Sequence, residues 1–307
     1  MNQVKRQKIA YDGWINLWKP VGMSSMQAVA AVRRHLHAKK IGHAGTLDPM
    51  ADGILPIALG EATKLIPLLH DDLKTYRFGV TWGVSTNTDD TEGEVTSTSD
   101  IRPVEQDILN AIPEFIGEIA QVPPAFSAVK INGQRAYALA RAGQEVTITP
   151  RNVYIDSFTL VSHDTDSAVF EVTCGTGTYV RSLARDLAQK LGSLAHCSFI
   201  TRINVGNFTE NTSISLENLA EIPYTNLGAT LWPLANGLDD ILAFAVTDTE
   251  AQRLQRGMDI KFLSRMDFDR LSKLNPENPV MAVFHDKVVA VCRLDGPTLH
   301  PVRVLNT

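Results

Sequence analysis

The chain has 307 residues, of which 44% are hydrophobic and 21% are charged, and its formal net charge is −5. This length predicts roughly two domains, with enough apolar residues to form a buried core. The sequence argues against membrane insertion and secretion, because no stretch approaches the roughly 20 apolar residues that span a bilayer and the first residues contain no apolar signal segment.

The three cysteines do not suggest a disulfide framework or a structural zinc site. Cys174, Cys197 and Cys292 lie far apart, their number is odd, and no Cys-x-x-Cys pair occurs. We therefore expect buried thiols in a cytoplasmic protein.

Charge is distributed unevenly along the chain. Residues 1–40 contain eight Lys and Arg against one Asp, a local charge of +7, whereas residues 85–118 contain nine acidic residues against Arg102. A basic region on an acidic protein fits a local nucleic-acid-binding surface. Charge alone leaves open a second interpretation, in which a solvated basic helix precedes an acidic loop.

The first predicted elements are a strand over 13–18, a turn over 19–22, and a helix capped by Ser24 or Ser25. Residues recurring at helical spacing mark the faces of this helix. They are Met26, Val29, Ala30, Arg33 and Leu36. The basic helix leads directly into the next segment.

The segment 41–56 contains three glycines, two prolines and the carboxylates Asp48 and Asp52. This composition predicts a shaped loop rather than the interior of one helix or strand. Pro49 biases Asp48 toward extended geometry, which would hold its carboxylate out on a constrained loop. The same spacing also fits ordinary turn chemistry.

Alternation of apolar residues from Tyr76 to Val84 predicts a strand with one buried face. A polar loop over 85–93, a short strand over 94–97 and a helix over 104–116 follow. Asp89, Asp90 and Glu92 lack a fixed metal-ligand spacing, so we expect a solvated charge run there rather than a magnesium site.

The segment 123–143 is predicted to be extended, to turn at Asn132-Gly133, and to end in a short helix before Gly143. The helix combines Tyr137 with Arg135 and Arg141. This mixture of cations and an aromatic ring suits RNA, but it also suits any surface helix.

Strands are predicted over 153–161 and 168–174, joined by a polar tip. His163, Asp164 and Asp166 occur at this tip, where a solvated hairpin is a better interpretation than a metal site.

Gly175 to Arg181 leads into a helix that is predicted to be capped by Thr178 and to end at Gly192. The motif is neither a P-loop nor a dinucleotide fingerprint. Arg181 in the first helical turn opposes the helix dipole, which predicts a nearby carboxylate.

The rest of the sequence predicts a strand over 199–203 and a domain boundary near Phe244. Beyond that boundary it predicts a helix over 247–255, a hairpin around Asp286-Lys287 and a last strand over 302–305. The predicted fold class is α+β. A mixed, mainly antiparallel sheet flanked by helices would form the domain 1–244, and a small β-rich domain would form 245–307.

The longest motif resembles the signature of the tRNA pseudouridine-55 synthases. It reads Gly42-His43-x-Gly45-Thr46-Leu47-Asp48-Pro49-x-Ala51-x-Gly53-x-Leu55-Pro56 and continues through Gly60-x-Ala62-Thr63-Lys64. Lys19-Pro20-x-Gly22, the Lys-x-Tyr run ending at Tyr76, the segment 123–143 and the segment 199–206 are similar to further motifs of that family. The resemblance covers roughly the first 210 residues.

The resemblance implies a role for several residues. Asp48 would be the catalytic residue, Arg181 its partner, and Tyr76 and Ile200 the side chains above and below the target base. His43 is a candidate to fill the space that the base leaves. Further substrate contacts are expected at Lys19, Lys64, Tyr137, Tyr179 and Arg202.

The resemblance also implies an enzyme that isomerises uridine 55 in the T arm of tRNA after flipping the base. We expect an RNA-contacting insertion near 123–150, a PUA-like C-terminal domain, a monomer without a protein or membrane partner, and no metal or other cofactor. Trp18, Ile200 and Thr201 depart from the family pattern, and Thr201 puts one phosphate contact in doubt.

Some alternatives stay open at the level of sequence. An ionised Asp48 can attack the sugar, attack the base, or abstract a sugar proton. The chain can also be an RNA-binding protein whose synthase site is vestigial. A carbohydrate hydrolase using Asp48 and Asp52 fits more loosely, because it assigns no role to Tyr76 or the basic helix.

Overall fold

The computed structural model describes residues 8–69, 73–127, 129–131, 133–144, 146–223, 226, 228, 230–238 and 241–306. The predicted turn residue Asn132 lies outside this set. Within the described residues, no helix combines the length and the apolar character needed to cross a bilayer.

The strands of the described residues are β1 (Gly13–Lys19), β2 (Ile41–His43), β3 (Ala51–Leu59), β4 (Lys74–Trp82), β5 (Val84–Thr86), β6 (Val95–Thr98), β7 (Gly117–Gln121), β8 (Lys130–Ile131), β9 (Gln134–Arg135), β10 (Arg151–His163), β11 (Ser167–Cys174), β12 (Ala195–Val205), β13 (Phe208–Thr209), β14 (Ile214–Ser215), β15 (Leu242–Ala245), β16 (Ile260–Lys261), β17 (Val280–Phe284), β18 (Lys287–Asp295) and β19 (Thr298–Val304). The α-helices are α1 (Ser25–Leu36), α2 (Ile66–Leu69), α3 (Glu105–Ala111), α4 (Ala136–Arg141), α5 (Val180–Lys190), α6 (Leu216–Glu221), α7 (Asp248–Gln255) and α8 (Arg265–Leu271).

A mixed ten-stranded sheet forms the larger part of the molecule. Its main path runs β14-β1-β3-β12-β4-β11-β10-β7, with β2 paired to β3 and β13 paired to β12. Only β1 with β14 and β3 with β12 run parallel within the described part of this sheet. Helices α3 and α5 cover aromatic side chains of β4 and β11, whereas α1 packs on β1 and β3. The predicted class, a mainly antiparallel sheet flanked by helices, is confirmed.

Helix α1 begins as predicted and buries only some of the residues that recur at helical spacing. The Ser24 side chain accepts a hydrogen bond from the Gln27 N–H, and the Gln27 side chain accepts one from the Ser24 N–H, which completes a capping box. Ala28, Val32 and Leu36 face the core at four-residue spacing, and Met26 is 66% exposed. Of the residues that mark its faces in the sequence, Val29 and Leu36 are buried and Met26 is not.

The predicted loop over 41–56 is shorter than expected, because residues 51–59 form β3 inside the large sheet. Gly53 has φ +106°, a conformation that glycine accepts without strain. The carbonyl of Pro56 accepts a hydrogen bond from Ala44 just beyond the end of β2. Gly53 and Pro56 thus lie inside a strand, although both residue types are disfavoured in strand interiors. The loop between β2 and β3 spans 44–50.

Helix α5 starts at Val180, but its predicted cap is wrong. Tyr179 occupies the N-cap position without a side-chain capping bond, whereas the Thr178 hydroxyl donates to the Gly175 carbonyl at 3.0 Å. The apolar stripe is buried against the sheet as expected, and the chain leaves the helix at Gly192 with φ +70°.

The C-terminal part contains a five-stranded sheet in the order β15-β17-β18-β19-β16. Its hairpin turns at His285 and Asp286, whose φ values are 46° and 60°, one residue earlier than predicted. The helix α8 was not expected from the sequence. The predicted boundary at residue 244 falls inside β15, and Leu305 shares a buried cluster with Trp14 of the larger part.

Candidate active site

The loop between β2 and β3 presents Asp48. The Ser25 hydroxyl, at the start of α1, accepts a hydrogen bond from the Leu47 N–H at 2.8 Å and donates to the Leu47 carbonyl at 3.0 Å. The Arg202 guanidinium, on β12, donates to the Gly45 carbonyl at 3.1 Å. Side chains from two different elements therefore hold the backbone on the N-terminal side of Asp48.

Arg181 makes the contacts that orient the Asp48 carboxylate. Its Nη2 lies 2.7 Å from Asp48 Oδ2, and its Nη1 lies 3.1 Å from Asp90 Oδ2. The same two nitrogens donate to the carbonyls of Phe126 at 3.1 Å and Thr88 at 2.8 Å. The side chains of Arg181 and Asp90 are each 5% exposed, whereas that of Asp48 is 39% exposed. The open member of this cluster is thus the predicted catalytic carboxylate.

The predicted solvated charge run at 89–92 is wrong for its first two residues. Asp90 is 3% exposed. Asp89 lies 2.9 Å from Arg185, which is one helical turn beyond Arg181 on α5. Burial raises the pKa of the Asp89 carboxyl above its ordinary value, while Arg185 opposes this shift. These acidic residues serve as ion-pair partners for α5, a long-range relationship that their polar local sequence does not reveal.

A cavity of about 290 Å³ opens beside Asp48. The Asp48 loop, the start of β4, the middle of β12, the segment 175–179 and the start of α5 form its walls. Its charged lining residues are Asp48, Lys74, Arg151, Arg181 and Arg202. Because four of these five carry positive charge, the cavity favours an anionic ligand.

Tyr76 and Ile200 line this cavity from adjacent strands. Burial raises the pKa of the Tyr76 hydroxyl, and the neighbouring Arg202 opposes that shift. The Arg202 guanidinium carbon lies 6.0 Å from the centre of the Tyr76 ring. A flat apolar ligand can therefore contact an aromatic face and a branched aliphatic side chain in one pocket.

Tyr179 also lines the cavity and is fixed by a residue that the sequence analysis missed. The buried Gln121 side chain accepts from the Tyr179 N–H at 2.8 Å and donates to its carbonyl at 3.1 Å. The guanidinium carbon of Arg151 lies 4.9 Å from the centre of the Tyr179 ring. The sequence around Gln121 and Arg151 does not indicate that they belong to the site. They come together only because β7 pairs with β10.

Lys19 does not fit the predicted role of substrate contact. Its side chain is fully buried outside the cavity lining, and its Nζ donates to the carbonyls of Pro20 at 2.8 Å and Met23 at 2.6 Å. Burial lowers its pKa from 10.5 to about 8, although Asp52 and Asp48 oppose the shift. Lys19 therefore supports the turn before α1.

Lys64 also lies outside the cavity lining, and its contact with a substrate stays a prediction. Its Nζ lies 2.6 Å from Glu61 Oε2 and 2.9 Å from the carbonyl of Val304 on β19. Glu61 in turn accepts from the Asn306 N–H at 2.8 Å. These bonds fasten the C-terminal strand to the larger part of the molecule.

The two remaining predicted contacts lie outside the cavity lining. His43 is half-buried at the end of β2, where it pairs with Ile57. Tyr137 is 39% exposed on α4, and the Arg141 guanidinium carbon lies 4.4 Å from its ring centre. Their contacts with a substrate remain predictions.

The arrangement does not support a hydrolase that uses Asp48 and Asp52 as paired acids. Asp52 lies on β3, outside the cavity lining, and its Oδ1 accepts a hydrogen bond from the Thr201 hydroxyl at 2.7 Å. The same contact gives Thr201 a partner within the protein. A pair of glycosidase carboxyls must flank one bond, whereas of these two residues Asp48 lines the pocket and Asp52 does not.

The described residues contain no group of three or more His, Cys, Asp or Glu with the geometry of a metal site. The three cysteines are buried, as expected. Burial raises the pKa of the Cys174 thiol to about 11 and that of Cys292 to about 12. Cys174 and Cys292 are therefore thiols at neutral pH rather than reactive thiolates.

Comparison with known proteins gives a consistent result. Residues 33–180 match the family described as TruB family pseudouridylate synthase, N-terminal domain. The chain is 47% identical over 300 residues to the tRNA pseudouridine synthase B of Caulobacter vibrioides, and the match covers 97% of each chain. It is 49% identical to the enzyme of the same name from Bradyrhizobium diazoefficiens, with 99% of this chain and 89% of that one covered.

A solved structure shares the fold at lower identity. The described fold is similar to a chain in the crystal structure of a Cbf5-Nop10-Gar1 complex, with a TM-score of 0.72, 24% identity, and coverage of 95% of this chain and 84% of that one. The fold agrees with the sequence relationship, which extends over nearly the whole chain at close to half identity. The chain therefore belongs to the TruB family of pseudouridylate synthases.

Proposed function

We propose that this protein isomerises uridine 55 in the T arm of tRNA to pseudouridine, acting as a monomer in the cytoplasm without a metal or other cofactor. The observation that carries the proposal is the ion pair of Asp48 with buried Arg181 at the edge of a cavity that Tyr76 and Ile200 also line. The names of the relatives, tRNA pseudouridine synthase B, support the choice of tRNA as substrate.

The reaction rearranges bonds without any net transfer of electrons. The bond between ribose carbon 1′ and base nitrogen 1 breaks, the uracil turns, and carbon 1′ joins base carbon 5. Nitrogen 1 gains a proton, and the proton on carbon 5 is released to solvent. A single carboxylate beside the ribose can assist the cleavage and rejoining, since carboxylates act in this way on other glycosidic bonds.

Arg181 holds the Asp48 carboxylate in a fixed direction, as this chemistry requires. The guanidinium at 2.7 Å forms a charge-assisted hydrogen bond that fixes the direction of the carboxylate. Asp90 and two backbone carbonyls hold Arg181 in place from the protein side. The Asp48 carboxylate can therefore meet the ribose without a rearrangement of its own support.

The target uridine lies within a structured arm of the RNA, so the base must leave its stack before it reaches Asp48. Extrusion of a base costs a few kcal/mol, and stacking on an aromatic ring returns about 1–3 kcal/mol. We assign this stacking to Tyr76 and the opposite apolar contact to Ile200. The positive lining of the cavity fits the phosphates that accompany the base.

The C-terminal sheet is proposed to be a PUA-like RNA-binding module, and the segment 123–150 an RNA-contacting insertion. Lys261, Arg293 and Arg303 are exposed cations of that sheet. Replacing all three with Gln should weaken tRNA binding more than it slows the bound-state reaction. Point substitutions are preferable to truncation, because Leu305 belongs to the same buried cluster as Trp14.

The direct test of the substrate is tritium release from tRNA transcripts labelled at carbon 5 of uridine. Incubation with the purified chain, without added metal, should release about one equivalent per transcript, and a matched transcript with cytidine at position 55 should release none. Equal release from both transcripts would contradict the proposed position. Binding without release from either would favour an RNA-binding protein with a vestigial site.

A further inference from the structure

Arg151 occupies the point at which the proposed RNA-contacting insertion rejoins the large sheet. It is the first residue of β10, and it pairs with Gln121, the last residue of β7. The two ends of the insertion therefore meet as neighbours in the sheet. Arg151 also lines the cavity that contains Asp48, so one side chain belongs to both features.

The hydrogen-bonding state of Arg151 differs from that of Arg181 and Arg202. Arg181 binds two carboxylates, and Arg202 donates to two backbone carbonyls. Among the described residues, Arg151 forms no ion pair, and its buried Nε has no hydrogen-bond partner. A guanidinium with unfilled donor positions in a cavity is placed to bind an anion or another acceptor.

Tyr179 fixes the orientation of this guanidinium. The guanidinium carbon lies 4.9 Å from the ring centre, within the range of a cation–π contact. Gln121 holds the backbone of Tyr179 on both sides, and the helix with Arg181 begins at the next residue. The support of Arg151 is therefore built into the same end of α5 that positions the catalytic pair.

The position of Arg151 in the sheet separates it from the base-contacting wall. Ile200 lies on β12, and the sheet order β12-β4-β11-β10 places β10 three strands away. At about 4.8 Å per strand this is a lateral separation of roughly 14 Å. Arg151 therefore lies beyond the edge of a uracil placed beside Ile200, at a distance that the adjoining ribose and phosphate can reach.

We propose that Arg151 binds a backbone phosphate next to the flipped uridine and thereby seats the nucleotide beside Asp48. The proposal rests on the proposed function. Arg151 is a substrate-binding residue in this account and takes no part in bond cleavage. The contact between Arg151 and the phosphate contributes one positive charge to RNA binding. The affinity for RNA therefore depends on salt concentration in part through Arg151.

The test compares wild type with Arg151→Gln and Arg151→Lys. The dissociation constant for an unmodified tRNA transcript is measured over a series of KCl concentrations, and single-turnover tritium release is measured at saturating enzyme. Arg102→Gln is the matched control, because Arg102 pairs with Asp166 beyond the far end of β10, about 40 Å along the strand from Arg151.

Arg151→Gln is expected to weaken binding and to lower the slope of log K against log salt by about 0.7–0.9, the value for one lost phosphate contact. Arg151→Lys should retain most of that slope, because it keeps the charge. In both variants the loss of affinity should exceed the loss of the saturated single-turnover rate, because the contact is made in the bound state before and during the reaction. Arg102→Gln should leave the slope unchanged.

An unchanged slope in Arg151→Gln would overturn the proposal. Weaker binding together with that unchanged slope would assign Arg151 to packing on Tyr179 instead of to a phosphate contact. A slower saturated rate with unchanged binding would place Arg151 in the chemistry. Failure of wild type to release tritium would contradict the proposed function itself and is distinguishable from all three results.

Discussion

The guanidinium of Arg181 lies 3.1 Å from the buried carboxylate of Asp90, on the side away from the cavity. Its other terminal nitrogen binds Asp48 at 2.7 Å. One arginine thus connects an inaccessible carboxylate to an accessible one. The planar fork of the guanidinium is what allows both contacts, since its nitrogens diverge from a single carbon.

Arg181→Lys should retain the charge and lose the geometry. A single ammonium cannot bind Asp48 and Asp90 while also donating to two carbonyls. We expect the single-turnover rate of tritium release to fall by roughly 100-fold, the scale of a misplaced catalytic group. Near-normal turnover would contradict the role of the fork.

Asp90→Asn should reduce both stability and activity. Removal of one partner from a buried ion pair costs about 3 kcal/mol, even though Arg181 keeps its contact with Asp48. Urea unfolding measures the first effect and single-turnover release the second. Asp166→Asn is the control, because Asp166 is 74% exposed in its pair with Arg102 and should cost less than about 1 kcal/mol. Equal losses in the two variants would contradict the importance of burial.

Lys19 should make stability depend on pH in the alkaline range. Its pKa is about 8 in the folded chain, below the ordinary 10.5, so between these values the unfolded chain binds more protons. The free energy of unfolding therefore gains about 1 kcal/mol per pH unit from this group as pH rises through that interval, and the gain is lost as pH falls to 8.

Lys19→Met should remove this contribution, so the difference in unfolding free energy between variant and wild type should change with pH between 8 and 10. Urea unfolding at several pH values gives the slope. Lys190→Met removes an exposed lysine and controls for the lost charge. Parallel curves for wild type and Lys19→Met would show that burial of Lys19 does not affect its proton affinity.

Gly53→Ala should severely destabilise the protein. Gly53 has φ +106°, and an added Cβ would contact the backbone of Arg202 in the neighbouring parallel strand. Gly192→Ala is the control, because Gly192 also has a positive φ, +70°, but open space around it. Thermal unfolding should show a loss of about 1–2 kcal/mol for Gly192→Ala, from strain alone, and a much larger loss for Gly53→Ala. Similar losses would contradict the steric account.

The sequence predicted those elements whose formation depends on residues close together in the chain. The alternation from Tyr76 to Trp82 specifies one face of β4, and the Ser24 capping box specifies the start of α1. The same reasoning failed for β3, because Gly53 and Pro56 oppose a strand locally and are tolerated only by the particular neighbours of that strand.

The residues of the site could be predicted only where they belong to a motif shared with the resembled family. The resemblance located Asp48 and Arg181, and the structure contains their predicted ion pair. Asp90, Gln121 and Arg151 were missed, because each acquires its partner through strand pairing or helix packing over long sequence distances. Lys19 was assigned to the substrate from its motif, whereas its burial places it in support of the backbone.

The most direct measurement of the central claim is single-turnover tritium release from tRNA labelled at carbon 5 of uridine, with wild type and Asp48→Asn side by side. Tight binding of the transcript is measured for both under the same conditions. The account predicts release by wild type alone, with the affinity of Asp48→Asn within about threefold of wild type, since Asp48 contributes to chemistry rather than to uniform binding. Release by Asp48→Asn at the wild-type rate would contradict the assignment of Asp48 as the catalytic carboxylate.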